Sequence, residues 1–288
     1  MGLVGHAISQ TGSFSAQVGS PGSDAISKDS SAFRDWAISC DVTRGLKQID
    51  LPDSGIVSAG MAVYATGKAD APLVVSLGDG GEAFLQFSAP FHDGNGPDFA
   101  VFENGFGSGV DAFLELAFVS VSSDGINYFE FSSISEQQAQ TQVGTFENTD
   151  ASLFHNLAGK HVANFGTPFD LAEIADTNLL DKQNVTHIKI TDVVGVIDTA
   201  YAGYDSEGSL INDPWPTNFD QGGFDLDAVG IIHSNIPVSI GQLRANQKNN
   251  EAKRCLDLIG REVPCSGSGI GWIIVETESG YAKRYVER

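Results

Sequence analysis

The chain has 288 residues, 41% of them hydrophobic, with 37 Asp and Glu against 16 Lys and Arg and a formal net charge of -21 at pH 7. That composition belongs to an ordered, loop-rich protein, and its sign repels nucleic acid and anionic membrane, which excludes electrostatic phosphate binding as the main task. No stretch approaches the roughly 18 apolar residues of a membrane span, and 3 cysteines do not make a disulfide framework.

The charge is uneven: residues 1–235 hold 8 Lys and Arg against 31 Asp and Glu, whereas residues 236–288 hold 8 against 6. Solubility and cation binding both account for so acidic a body. The opening residues 1–10, MGLVGHAISQ, read as the remnant of a secretory signal with a small-x-small ending at Gly5-His6-Ala7, although no basic region precedes it. The main domain is expected over 11–235. Within it, Asp29 or Ser30 caps a short helix whose apolar face is Phe33, Trp36 and Ala37, plugging one end of the fold with Trp36 in the core. Residues 41–51 are polar and expected to be irregular.

Residues 74–127 organise the domain. Runs at 82–87, 99–102 and 114–121 alternate at period two and are rich in aromatic and β-branched residues, as strands of a half-buried sheet are. The loops between them combine glycines with carboxylate and amide oxygens, notably His92-Asp93-Gly94-Asn95-Gly96-Pro97-Asp98 and Glu103-Asn104-Gly105-Phe106-Gly107. Residues 132–183 read as an insertion crossing one end of the fold. In it Pro168 starts a short helix carrying Asp170 and Glu173 near its N-terminus. A strand follows at 185–194, then a long loop over 198–223 with four aromatics and two prolines, and then a strand at 224–232 with Asp225 and Asp227 on one face. Residues 236–250 read as a linker and 251–288 as a small three-stranded β module. Cys255 and Cys265 either close a hairpin there, leaving Cys40 over, or all three remain buried thiols. The fold class expected is all-β, a jelly-roll sandwich with short helical insertions and a small C-terminal β module.

Three patterns resemble the discoidin or galactose-binding-like jelly roll: the hairpin VSVSSDGINY at 119–128, the strand THIKITD at 186–192, and the closing GFDLDAV at 223–229. More narrowly, DFAVFENGF at 98–106, LAFVSVSSDG at 116–125, DPWPT at 213–217 and GGFDLDAV at 222–229 resemble a family of bacterial cell-surface proteins. Some members of it neighbour outer-membrane vitamin uptake systems, so the resemblance implies a cobalamin-type ligand as one candidate. The tail, with Leu256-Asp257-Leu258-Ile259-Gly260-Arg261-Glu262-Val263 and Tyr281-Ala282-Lys283-Arg284, resembles the C-terminal sorting domain of type IX secretion cargo. It has Leu256 where Tyr is usual and Trp272 where Tyr or Phe is common. That resemblance implies export to the outer cell surface and a secretion machinery as partner; an ordinary β hairpin is the alternative.

Calcium is the expected cofactor, because a hard cation collects about six to eight oxygens. Asp93, Asn95, Asp98, Glu103 and Asn104 lie close in sequence, and a jelly roll can bring Asp225 and Asp227 to them; the same residues also suit turns, and no EF-hand spacing is present. Phe106, Tyr201, Tyr204 and Trp215 are candidates for a carbohydrate or small-molecule platform. For Trp215 the competing role is a Pro-Trp-Pro latch packing the long loop. The six histidines show no HExxH spacing. Glu103 and Asp225 flank a glycosidic bond only if their separation permits it. The expectation is a secreted or surface binding protein for an extracellular carbohydrate or small molecule, with a glycan-active hydrolase and a purely structural surface module as alternatives.

Overall fold

The computed structural model describes residues 12–71 and 73–235 and, in the tail, the strands at 254–256, 262–263, 271–277 and 280–286. In chain order the strands of the main domain begin with β1 (Ile26–Ser27), β2 (Asp35–Trp36), β3 (Ser39–Thr43), β4 (Val75–Ser76), β5 (Glu82–Phe91) and β6 (Phe99–Glu103). They continue with β7 (Phe106–Gly107), β8 (Asp111–Phe113), β9 (Ala117–Ser122), β10 (Phe129–Glu130) and β11 (Ile134–Ser135). The last are β12 (Thr149–Asp150), β13 (Phe154–His155), β14 (Phe165–Phe169), β15 (Val185–Asp192) and β16 (Asp225–Ile231).

Two large antiparallel sheets result, with β11-β13 and β12-β8-β7 as two small ones. One has the order β1-β14-β6-β16-β2, with β4 also on β16; the other has the order β10-β9-β15-β5-β3. From β4 onward the chain passes back and forth between the two large sheets, with β9 and β10 a hairpin within the second, so β4-β16-β6-β14 faces β5-β15-β9-β10, which is the jelly-roll connection. The alternation read in the sequence explains β5, where Ala83, Leu85 and Phe87 are buried between more exposed neighbours. On β15 a bulge between Val185 and His187 shifts the phase, so Val185 joins Ile188 and Ile190 in the core instead of lying on their opposite face.

The core between the sheets is dominated by rings. Phe99 stacks on Phe169 at 5.3 Å and meets Phe91 and Phe131 at 5.7 and 5.8 Å. Phe99→Ala is expected to lower stability by about 3 to 5 kcal/mol, read by chemical denaturation, because such a ring leaves a cavity its neighbours cannot fill.

Several local expectations give way to tertiary structure. Residues 29–37 form turns and the edge strand β2, not a helix, and β2 pairs with Gly230 and Ile231 of β16. Trp36 is half-buried on the outer face of the sheet, where its ring and that of Phe33 cover Phe102 at 5.5 and 5.6 Å. The rings approach β16 so closely that a Cβ at Gly230 would lie 2.7 Å from Phe33. Of the run 41–51 expected to be irregular, residues 41–43 belong to β3, and the supposed insertion at 132–183 supplies β14, an inner strand of the first sheet. The turn after it is a 3-10 helix at Leu171–Glu173, with Asp170 as its cap. In the tail, four strands form where three were expected, because the run at 254–263 divides into two. Cys40 is a free, half-buried thiol; the pairing of Cys255 with Cys265 lies outside the described residues.

Candidate functional site

The site grows from three strand ends that the jelly roll brings to one end of the sandwich. Glu103 closes β6, Asp225 opens β16 and Asp192 closes β15; Glu103 lies opposite Leu226, and Asp225 opposite Ser76. Loops add Asp79, Glu115 and Asp213, so six buried carboxyls share one neighbourhood.

Three of the six hold loops in place. Asp192 accepts from the backbone N–H of Phe224 (2.6 Å) and Gly80 (3.0 Å), Asp213 from that of Leu116 (3.0 Å), and Asp79 from the Ile49 N–H and the Thr217 hydroxyl. Of the other three, Glu115 and Asp225 line the cavity, and Glu103 is buried outside its lining. Asp225 accepts from the Ser76 hydroxyl and from the Asn104 amide, 3.0 Å away. Glu103 accepts the Gly105 N–H on Oε2, while its Oε1 is buried with no hydrogen-bond partner among the described residues. A Cβ at Gly105 would sit 2.8 Å from that Oε2, so the position suits glycine.

Burial, then mutual repulsion, sets the electrostatics. Burial pushes Asp225 up to about 6 even though Ser76, Asn104 and the nearby Arg44 favour its charged form. Asp79 is raised to about 6, also by burial first. Glu103 and Glu115 are held well above the ordinary carboxylate range by burial and then by Asp225; Asp192 and Asp213 are raised by burial and by Asp79. The Arg44 guanidinium is itself engaged by the carbonyls of Ala59, Gly60 and Ser76.

Above these acids opens a cavity of about 280 Å³ with Asn104, Glu115 and Asp225 in its lining. Its wall is a row of rings. Phe106 and Phe113 face each other across the β7–β8 ladder and stack at 4.8 Å; Phe113 meets Phe146 at 6.0 Å, and Phe146 stacks on Phe219 at 5.7 Å. Phe106, Phe146 and Phe219 are 58%, 69% and 42% exposed, whereas Phe113 is buried. Trp215 is 8% exposed. Its backbone N–H donates to the Val143 carbonyl, and the Thr145 hydroxyl donates to the Pro216 carbonyl, which ties the Phe146 loop to the long loop. The Trp215–Pro216 peptide is cis.

Of the four residues expected as a ligand platform, Phe106 therefore lines this cavity, and Trp215 is buried outside its lining. Tyr201 and Tyr204 are exposed on the same long loop, outside the cavity lining. The seven residues expected to hold calcium divide among separate places. Asn104 and Asp225 line the cavity, and Glu103, next to Asn104 in the chain, is buried outside the lining. Asp98 lies at the other end of β6, five residues from Glu103 and so roughly 16 Å away along the strand. Near it are Asp93 and the exposed Asn95, and the carboxylate oxygens of Asp93, Asp98 and Asp170 lie within 4.8 Å of one another. Both Asp98 oxygens already accept, from Gly94, Leu171 and His233. Asp227 accepts from the Asp70 N–H, 2.8 Å away, and a bulge between Leu226 and Ala228 breaks the period that would align it with Asp225. The seven do not fit one calcium shell.

Sequence reasoning missed Phe113, Glu115, Phe146, Phe219 and Gln221. One signal was available for Glu115, a lone acid inside the apolar run Leu114-Glu115-Leu116; all three residues are buried where the chain passes between β8 and β9. A second cavity, of about 200 Å³, is lined by Asp24, His155, Asn156, Lys160 and Glu173 among others. Its polar groups largely satisfy one another: His155 lies 3.2 Å from Glu173, and the Asn156 amide donates to Glu173 at 2.6 Å.

The fold defines the class, an all-β jelly-roll sandwich. Comparison with known families finds no model that matches the chain, and comparison with the curated proteins finds no match.

Proposed function

We propose that this is a secreted or cell-surface binding protein whose sandwich takes an extracellular carbohydrate or other small molecule into the cavity beneath Phe106, Phe146 and Phe219. One observation carries the reading: three phenylalanines stand in the open around a cavity lined by buried acids and an amide. Exposed rings forgo burial worth roughly 1.5 to 3 kcal/mol each, and a flat apolar ligand face recovers part of it. Asn104, Glu115, Asp225 and Gln221 supply the few polar contacts that orient a ligand in an otherwise apolar pocket. The tail's resemblance to a sorting domain supports export, with a secretion machinery as its partner.

A glycan-active hydrolase is the second reading, favoured by Glu115 and Asp225 in the same lining with their carboxyls raised, as a general acid requires. Calcium enters only as an arm of the test, at the Asp93, Asp98 and Asp170 group. The test is a glycan array, with a cobamide and calcium in parallel thermal-shift wells, on the wild type and on Phe106→Ala. The expected outcome is a wild-type ligand that Phe106→Ala loses. Release of reducing sugar from that ligand would make the hydrolase reading the correct one, and a ligand retained by Phe106→Ala would place binding elsewhere.

A further inference from the structure

Resting on that reading of the cavity, we infer that its occupant carries a positive charge, an ammonium group on a compact carbon skeleton such as an amino sugar or a polyamine. Charge comes first. Residues 1–235 carry 31 Asp and Glu against 8 Lys and Arg, so cationic molecules are drawn toward this body and anionic ones repelled.

The local groups point the same way. Glu115 and Asp225 line the cavity, with Glu103 close enough to both to repel them. Glu103 is 1% exposed and Asp213 5% exposed, and each has one buried oxygen, Oε1 and Oδ1, without a hydrogen-bond partner among the described residues. Neither of these two lines the cavity; they act on it as buried acids that repel Glu115, and an ammonium bound at Glu115 and Asp225 supplies three donors and offsets that repulsion. Arg44 does not fill that role, since three backbone carbonyls engage it.

The wall selects the kind of cation. Phenylalanine rings have no polar handle for hydroxyls, yet their faces attract ammonium and its flanking CH groups. A calcium ion would need about six to eight oxygens in one shell. The cavity offers two carboxylates, two amides, two threonine hydroxyls that donate to other groups, and four phenylalanine rings, a set suited to nitrogen carrying carbon. Its volume of about 280 Å³ limits the part enclosed to about the size of a monosaccharide. Below the value near 6 of Asp225 a proton on that carboxyl competes with the cation, so affinity rises as pH passes through it.

The test is calorimetric titration of the full chain with glucosamine, spermidine, glucose, N-acetylglucosamine and calcium chloride, at pH 7.5 and pH 5.0. The expected result is that glucosamine or spermidine binds at least tenfold more tightly than either neutral sugar and weakens at least tenfold at pH 5.0. Which of the two binds identifies the source of the ammonium. Glu115→Gln should lose tenfold or more; if that variant does not fold, Phe146→Ala on the exposed rim carries the same expectation. Equal affinity for glucose and glucosamine overturns the charge and leaves the cavity reading standing. Binding by none of the five overturns both. Calcium binding that Glu115→Gln abolishes, with no binding of either amine, overturns the inference in favour of a metal site.

Discussion

Glu103→Gln should raise the thermal midpoint at pH 7.5 by several degrees and flatten its dependence on pH, while Asp192→Asn should lower it. Both carboxyls are buried and held above the ordinary range, so their titration alone would assign them the same effect. Their hydrogen bonds separate them. Glu103 uses Oε2 as acceptor and leaves Oε1 without a donor, so an amide keeps the accepting oxygen and takes away a group whose ionisation burial and Asp225 oppose. An amide cannot ionise, and each kcal/mol so recovered raises the midpoint by about 2 to 4 °C in a domain of this size. Asp192 accepts a backbone N–H on each oxygen, from Phe224 and Gly80; an amide can accept only one and would set its NH₂ against the other.

The wild type should accordingly be more stable at pH 5 than at pH 7.5. A carboxyl whose folded pKa exceeds its unfolded value binds more protons folded than unfolded between the two, so stability falls as pH rises through that window. For Asp79 and Asp225, both raised to about 6 from an unfolded value near 4, the window runs from about pH 4 to 6. Each then forfeits up to about 3 kcal/mol by neutral pH. Below pH 4 the opposite group takes over: Asp24, lowered to about 2 by its hydrogen bonds to His161 and Ser15 against the opposing effect of burial, contributes stability that is lost as it protonates. Midpoints across pH 3 to 8 should therefore pass through a maximum near pH 4 to 5. A midpoint that climbs steadily to pH 8 would mean the cavity acids are charged and compensated.

The second large effect is on binding. Phe106→Ala with Phe146→Ala should weaken any cavity ligand by a hundredfold or more while leaving the midpoint within a few degrees of wild type. Each ring is more than half exposed, so little folding energy rests on it. Contact with a ligand would bury one face of each, and two ring faces at roughly 1.5 kcal/mol apiece correspond to about two powers of ten. Trp215→Ala should do the reverse: it removes a large buried ring outside the cavity lining, so stability falls while the backbone bond to Val143 is kept. Titration calorimetry and thermal melts on the same three proteins distinguish the two cases.

Alternation over 82–87, 99–102 and 185–192 made the strands and the sandwich legible, because period two is a property of neighbouring residues and survives without knowing the partner strand. Asp225, Glu103, Asn104 and Phe106 were legible as site candidates for a similar reason: acids and amides beside glycines at strand ends mark loops that carry function. Their grouping was not. Whether Glu103 meets Asp225 or Asp98 depends on which end of β6 each occupies and on the register of β6 against β16. The bulge that parts Asp225 from Asp227 leaves no local trace, and neither does the one that returns Val185 to the core.

The aromatic wall shows the division most clearly. Phe106, Phe113, Phe146 and Phe219 span more than a hundred residues of chain, and nothing near Phe146 or Phe219 distinguishes them from core phenylalanines such as Phe99 or Phe131. Composition and alternation sufficed for an acidic all-β body with polar loops, because burial of one strand face and solvation of the other act residue by residue. Which phenylalanines stay in the open, and which acids are forced to share a buried space, was settled only when non-local pairing closed the jelly roll and brought strand ends far apart in sequence to one end of it.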